Sequence, residues 1–402
     1  MVAFHFPPLS GGSGIQRTLR FVQHLPSLGW QPLVLSAHPR AYAQTAADLL
    51  PEVPPDTVVK RSWAWDTARH MSLRGRYMGW MARPDRWMSW RWAAVRDGLQ
   101  MIKTYQPDAI WSTYPIATAH QIGAELQRRS GLPWVADFRD PMAQDDYPSD
   151  PAVWRSYQAI EARALQHAAR CVFTTPSAAQ TYRARYPQFA GKVQVLENGF
   201  DEESFVGLTQ DMALSPGKLT LLHSGIVYPS ERDPTPFFQA LAQVLASGCF
   251  ARSQLCVRFR APVHIDLLAS LTAQYGLQDV IEVCPPLPYR EALAEMVRAD
   301  ALLVMQASNC NAQIPAKLYE YLRAGRPLLG LTDPVGDTAG ALRAAGVQAM
   351  APLDSVEAIA TLLTRFLNNL AQGDAPLPHP QAVQQASRRA RSQGLAKLLD
   401  EL

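Results

Sequence analysis

No run of eighteen apolar residues occurs in the chain, so no stretch reads as a membrane-spanning helix. The start, Met1-Val2-Ala3-Phe4-His5-Phe6-Pro7-Pro8, has neither the cationic beginning nor the long apolar segment of a secretory signal; it reads as a first strand entered at once. Cysteine is scarce and scattered. Cys171, Cys249, Cys256, Cys284 and Cys310 form an odd set without a CxxC pair, which argues against a disulfide scaffold and structural zinc and fits a reducing cytoplasm. The nine histidines include no HxxxH pair, and no DxD pattern is present to hold a divalent cation. A net charge of +3 is too small to indicate nucleic acid.

What is present is a repeated alternation of strand and helix. At 402 residues the chain exceeds what one core supports, so two domains are expected. Short apolar runs at 2–6, 33–37, 109–113, 134–138, 171–175 and 193–196 read as buried strands, with helices such as 15–28 and 117–129 between them. Runs at 219–224, 256–260, 281–284, 301–306 and 328–332 repeat the arrangement. Apolar runs lacking period-two alternation indicate parallel sheets covered on both faces, hence an α/β doubly wound class, twice. The break falls at 201–218, where Gly, Ser and Pro replace periodic structure. This gives domains at 1–200 and 201–375, a linker at 376–380, and a polar helix over 381–402. Ligands bind beyond the carboxyl ends of such strands, so a cleft between the domains is the expected site.

The segment from Gln313 to Pro327, running into Leu328-Leu329-Gly330-Leu331-Thr332, reads as a loop, a short helix opened by Pro315, a stop at Gly325, and a buried strand. Lys317 and Glu320 lie three apart on one helix face near its positive end. There Lys317 suits a phosphate and Glu320 suits sugar or ribose hydroxyls; an exposed ion pair between them is the other reading. Pro7-Pro8-Leu9-Ser10-Gly11-Gly12-Ser13-Gly14-Ile15-Gln16-Arg17 follows the first strand. Its glycines, Gly12 and Gly14 included, let backbone N–H groups approach a ligand at a helix start, although the run is not a full GxGxxG fingerprint and a plain turn also fits. Val135-Ala136-Asp137-Phe138-Arg139-Asp140-Pro141 ends a strand in charged residues that are costly to bury unless used. His223-Ser224-Gly225-Ile226-Val227-Tyr228-Pro229-Ser230-Glu231-Arg232-Asp233-Pro234 leads the second domain's first strand into another glycine loop.

Together these segments resemble glycosyltransferase family 4, the retaining enzymes of GT-B fold that use nucleotide-sugars. The resemblance implies two Rossmann-like domains, the first on the acceptor side and the second holding the donor, with the C-terminal helix crossing back to the first. It implies that Gly12 and Gly14 approach donor phosphate and acceptor, that Gly225 opens the donor loop, and that Arg232 grips the diphosphate, where bidentate contact suits a guanidinium. Lys317 would stabilise the leaving phosphate and Glu320 bind the ribose. The family's usual first motif glutamate is replaced here by Ala312, leaving Asn311 and Gln313 to hydrogen-bond the donor sugar. Arg139 stands near a position where many members carry histidine. Asp137 and Asp140 are candidates for sugar or acceptor hydroxyls, or for an internal Asp–Arg bridge. His120 is a further acceptor-side candidate, read more simply as a helix-face histidine.

Residues 61–92 carry six tryptophans and seven arginines against only Asp66 and Asp85. Trp with Arg is the composition of a segment facing anionic lipid; packing against the first sheet, with arginines in solvent, is the other reading. The combined expectation is a cytoplasmic glycosyltransferase, peripheral on the inner membrane face. It would transfer from a nucleotide-sugar to a saccharide or lipid-linked acceptor, without metal or other cofactor and without a nucleic-acid partner. The alternatives are a nucleotide-sugar epimerase-like enzyme on the same fold and a non-catalytic binding relative.

Overall fold

The computed structural model describes residues 1–11, 14–145 and 147–402. The chain divides into two compact units, Met1–Glu197 with Arg388–Leu402, and Asn198–Ser387.

The first unit is built on β1 (Leu33–Ala37), β2 (Val58–Ser62), β3 (Ile110–Thr113), β4 (Trp134–Arg139), β5 (Arg170–Phe173) and β6 (Val193–Val195). All pairings are parallel, β1 with β2 and β3 through β6 in order. Val2 bridges Leu35 of β1 and Ser112 of β3, so residues 1–3 occupy the central position of one continuous layer. The strand expected over 2–6 therefore pairs only at its start. Phe4 and Phe6 are buried beyond it, with Phe4 packed on Tyr42, Trp87 and Trp90. Apolar character marked that segment for the interior; it did not mark where the ladder ends. β2, with the half-polar sequence Val-Val-Lys-Arg-Ser on one side of the layer, was not legible as a strand.

The second unit contains β7 (Leu219–Ser224), β8 (Leu255–Arg260), β9 (Ile281–Cys284), β10 (Ala301–Gln306), β11 (Leu328–Thr332) and β12 (Met350–Ala351). Their spatial order is β12-β11-β10-β7-β8-β9, all parallel. Numbered within the unit this is 3-2-1-4-5-6, the Rossmann order, whose reversal point lies between β7 and β10. β7 and β10 are buried along nearly their whole length because helices cover both faces.

The C-terminal expectation needs correction. In place of one helix over 381–402 there are two, Pro380–Gln385 and Arg388–Asp400. The first stays with the second unit, where Phe200 N–H donates to the Ala386 carbonyl at 3.2 Å. The second packs on the helix Gly14–His24, burying Leu395, Leu398 and Leu399 beside Phe21, Leu25 and Trp111. The chain changes units at Ser387, between these two apolar attachments. Among the described residues no helix is long and apolar enough to cross a membrane.

Candidate functional site

In the second unit, the loops leaving β7 and β10 carry most of the residues singled out from the sequence, on the two sides of the reversal point. Gly225 follows β7 directly. Its φ is 148°, and a Cβ placed there would stand 2.9 Å from Lys317 Cε, so a side chain at this position is strained and obstructed at once. The helix Ala316–Ala324 brings Lys317 over this glycine; it starts just after Pro315 and ends at Gly325, whose φ of 66° is left-handed. Lys317 makes no hydrogen bond or ion pair among the described residues. Burial lowers its pKa, Glu320 opposes that shift, and the Arg232 charge adds to it.

Arg232 donates to the Ile226 carbonyl at 2.8 Å, and its guanidinium lies 5.5 Å from the Tyr228 ring centre. It has no carboxylate partner among the described residues, so pairing with Glu231 or Asp233 is not the geometry adopted. Lys317 and Glu320 likewise form no ion pair. Glu320 instead accepts a hydrogen bond from the Tyr289 hydroxyl at 2.9 Å. Two cations thus share one edge of the sheet with no ion pair to either among the described residues, an arrangement suited to a polyanion.

Asn311 and Gln313 lie on the loop after β10. The Asn311 amide donates to Asp333 at 2.7 Å, and its carbonyl accepts from Asp337 N–H at 2.8 Å, so Asn311 ties the loop beyond β11 to this one. The Gln313 carbonyl accepts from Gln306 and Thr338, both at 3.1 Å, while its side chain is exposed. Three further residues belong to the same edge and carried no spacing signal. His223 donates from Nδ1 to the Leu303 carbonyl at 2.9 Å and leaves Nε2 unpaired; burial pushes its pKa down to about 4, with Arg232 and Lys317 contributing, so it stays neutral. Tyr321, from the Lys317 helix, accepts from Ser224 N–H at 2.7 Å and fixes the start of the glycine loop. Tyr289 comes from the start of another helix and meets Glu320 only through the fold.

In the first unit, the candidates gather after residue 3, β3 and β4. Gly12 lies outside the described residues. Gly14 opens the helix Gly14–His24, and a Cβ there would come 2.4 Å from His5 Nδ1 and 2.9 Å from an Arg139 guanidinium nitrogen. Both side chains therefore close over this helix start and would have to move aside for any residue larger than glycine. Arg139 has φ 65° and donates weakly to the Tyr114 carbonyl at 3.3 Å, while its Nε is unpaired. His5, not singled out from the sequence, has no partner for Nδ1, and burial together with Arg139 lowers its pKa to about 4. Asp140 sits at the exposed rim.

Asp137 is occupied internally. Arg17 reaches its two oxygens at 3.0 and 2.9 Å, and Thr113 donates to it at 2.8 Å. This is the internal Asp–Arg bridge, made with Arg17 rather than Arg139, and it fastens the helix Gly14–His24 to β3 and β4. His120 is 0 % exposed. Its Nδ1 meets Ser112 Oγ at 2.8 Å, its ring lies 4.7 Å from that of Phe138, and burial lowers its pKa to about 4. No acceptor hydroxyl reaches it in this arrangement; it is a core residue. Among the described residues, no group of three or more His, Cys, Asp or Glu is placed to hold a metal ion.

The chain has counterparts among known proteins. Residues 12–199 match the family model described as a glycosyl transferase 4-like domain. The D-inositol 3-phosphate glycosyltransferase of Streptosporangium roseum is 28 % identical over 323 residues, covering 74 % of this chain and 70 % of that protein. Among solved structures, Anabaena HepE in complex with UDP superposes with a TM-score of 0.65 at 13 % identity, over 98 % of each chain. Sucrose-phosphate synthase of Thermosynechococcus elongatus gives 0.63 at 14 % identity, over 100 % of this chain and 97 % of the other. Residues 12–199 thus resemble a glycosyl transferase 4-like domain, and the chain as a whole has the GT-B fold of two Rossmann-like units.

Proposed function

We propose that the protein is a glycosyltransferase that moves a sugar from a nucleotide-sugar to an acceptor hydroxyl, with retention at the anomeric carbon. The observation that carries this reading is the pair Lys317 and Arg232, two cations without carboxylate partners beside the obligatory glycine at the reversal point of the second sheet. In the reaction the bond from the anomeric carbon to the diphosphate breaks and negative charge develops on the leaving oxygen. Lys317 and Arg232 stabilise that charge electrostatically, in place of a metal ion, each by a few kcal/mol where water is excluded. Glu320 holds the ribose hydroxyls, exchanging its bond to Tyr289 for them. The departing phosphate takes the acceptor proton on the face where the new bond forms, so no protein base is assigned.

The acceptor is proposed to be a growing surface polysaccharide or a lipid-linked glycan, and the protein to work in the cytoplasm at the inner membrane face. UDP is the first nucleotide to try, because HepE was solved with it. The test is incubation with UDP-hexoses and a lipid-linked glycan fraction, following UDP release and the anomeric signal of the product by NMR. UDP release that depends on acceptor, with an axial donor bond giving an axial product bond, is the expected result. An isomerised free sugar formed without acceptor would replace this reading with the epimerase one.

A further inference from the structure

The tryptophan and arginine stretch separates into two parts that its composition did not distinguish. Trp87 and Trp90 pack on Phe4 and belong to the core of the first unit. Arg69 and His70 still hold to the body, Arg69 by donating to the Tyr42 carbonyl, whereas residues 71–80 do the opposite. They follow the helix begun by Thr67, whose N–H donates to the Arg86 carbonyl at 2.8 Å and whose hydroxyl donates to the Met81 carbonyl at 2.9 Å, so the two ends of the segment are fastened together. Between these ends, Leu73 and Arg76 exchange backbone hydrogen bonds at 2.9 and 3.1 Å around Arg74 and Gly75. Those two residues have φ of 51° and 76°, the paired positive values of a tight two-residue hairpin turn.

The finger is apolar where a soluble surface is ordinarily polar. Leu73 is 80 % exposed, Met78 65 % and Trp80 60 %. Arg74 and Arg76 stand beside them, and their side chains make no hydrogen bond or ion pair among the described residues. The segment 71–80 contains no carboxylate, and the two acids nearby face inward. Asp66 caps the helix Thr67–His70 through Ala68 N–H at 3.0 Å. Asp85 accepts from Thr118 at 2.8 and 2.9 Å and from Trp87 at 3.0 Å. Cationic charge without local compensation, around exposed leucine, methionine and tryptophan on a rigid turn, complements an anionic interface with an apolar layer just beneath it.

We propose that residues 71–80 are a hairpin finger that docks on an anionic lipid bilayer, Leu73 and Trp80 entering the headgroup boundary while Arg74 and Arg76 meet lipid phosphates. This inference rests on the membrane-side location given under the proposed function but not on its transfer chemistry, since none of these residues belongs to the candidate site. The test is co-sedimentation of the full chain with phosphatidylcholine vesicles and with vesicles that also contain phosphatidylglycerol. The wild type, Leu73→Ser/Trp80→Ser and Arg74→Glu/Arg76→Glu are compared at low and high salt, with thermal melting as a folding control. The expected result is binding that needs the anionic lipid, falls with salt, and weakens by about fivefold or more for each arginine reversed. The Leu73→Ser/Trp80→Ser variant should melt as the wild type does and lose most of its vesicle binding. Equal binding to both vesicle types, no binding, or undiminished binding by both variants overturns the proposal. So does a lipid-free dimer, seen by sedimentation equilibrium, that the same substitutions dissolve, because the finger would then serve a second copy of the chain.

Discussion

Glu320 is held by a tyrosine hydroxyl, and Arg232 by a main-chain carbonyl and the Tyr228 ring, light contacts that a ligand can displace. Glu320→Ala and Arg232→Ala should each weaken nucleoside diphosphate binding by about 1–3 kcal/mol, the usual loss for a hydrogen bond to a charged group. His120→Ala should leave the nucleotide Kd unchanged, because that residue lies in the core of the other unit. Gly225→Ala should abolish binding more thoroughly than either, since the added methyl displaces Lys317 and the backbone resists φ 148°. Equilibrium dialysis on these variants checks all four. A pH dependence follows from the buried histidines. His120 and His223 have folded pKa values of about 4, below their ordinary 6.5, so the unfolded chain takes up protons first as pH falls. Stability is thus lost between about pH 6.5 and about pH 4. From pH 7 to 5 each should cost its unit about 2 kcal/mol, and urea unfolding of His120→Leu should show a shallower decline for the first unit. At this scale spacing from a strand end or helix start singled out Lys317, Glu320 and Gly225, and the family resemblance singled out Arg232; the structure places all four at one edge of the second sheet. It did not reveal Tyr289 or His5, whose significance comes only from what folding brings beside them.

Strands in the interior of the second sheet were legible almost to the residue. β7, β10 and β11 coincide with their apolar runs, because a strand covered on both faces has no alternation to blur its limits. β2 and β12, half-polar or two residues long and at the outer ends of their layers, carried no such signal. The C-terminal segment read as one helix because nothing local distinguishes the attachment of Ala382 and Val383 to one unit from that of Leu395, Leu398 and Leu399 to the other. Leu395→Ala should therefore destabilise the first unit by about 2–5 kcal/mol while leaving nucleotide affinity in the second unchanged. Chemical denaturation beside a binding isotherm tests both halves of that statement. Arg17→Met should be as damaging, about 3–5 kcal/mol, because it strips the buried Asp137 carboxylate of its two guanidinium bonds and leaves the Thr113 hydroxyl and the Arg139 charge to answer it.

Over the whole molecule, the two units carry different parts of the expected chemistry. The first matches the glycosyl transferase 4-like domain and presents His5, Gly14 and Arg139 around one helix start. The second presents the cations Lys317 and Arg232, with no ion pair to either among the described residues, at the reversal point of a Rossmann sheet. Ala312, where the resemblance expects a first motif glutamate, is neither of these two cations, so nucleotide binding is expected to survive whatever sugar the donor carries. The central claim is that this second unit holds a nucleoside diphosphate through Lys317, Arg232 and Glu320. Calorimetric titration of the purified protein with UDP, GDP, ADP and TDP, beside Glu320→Ala, tests it most directly. The account predicts micromolar binding of one of the four, weakened at least about fivefold in the variant. Binding to none of them, or equal binding by the variant, would contradict it.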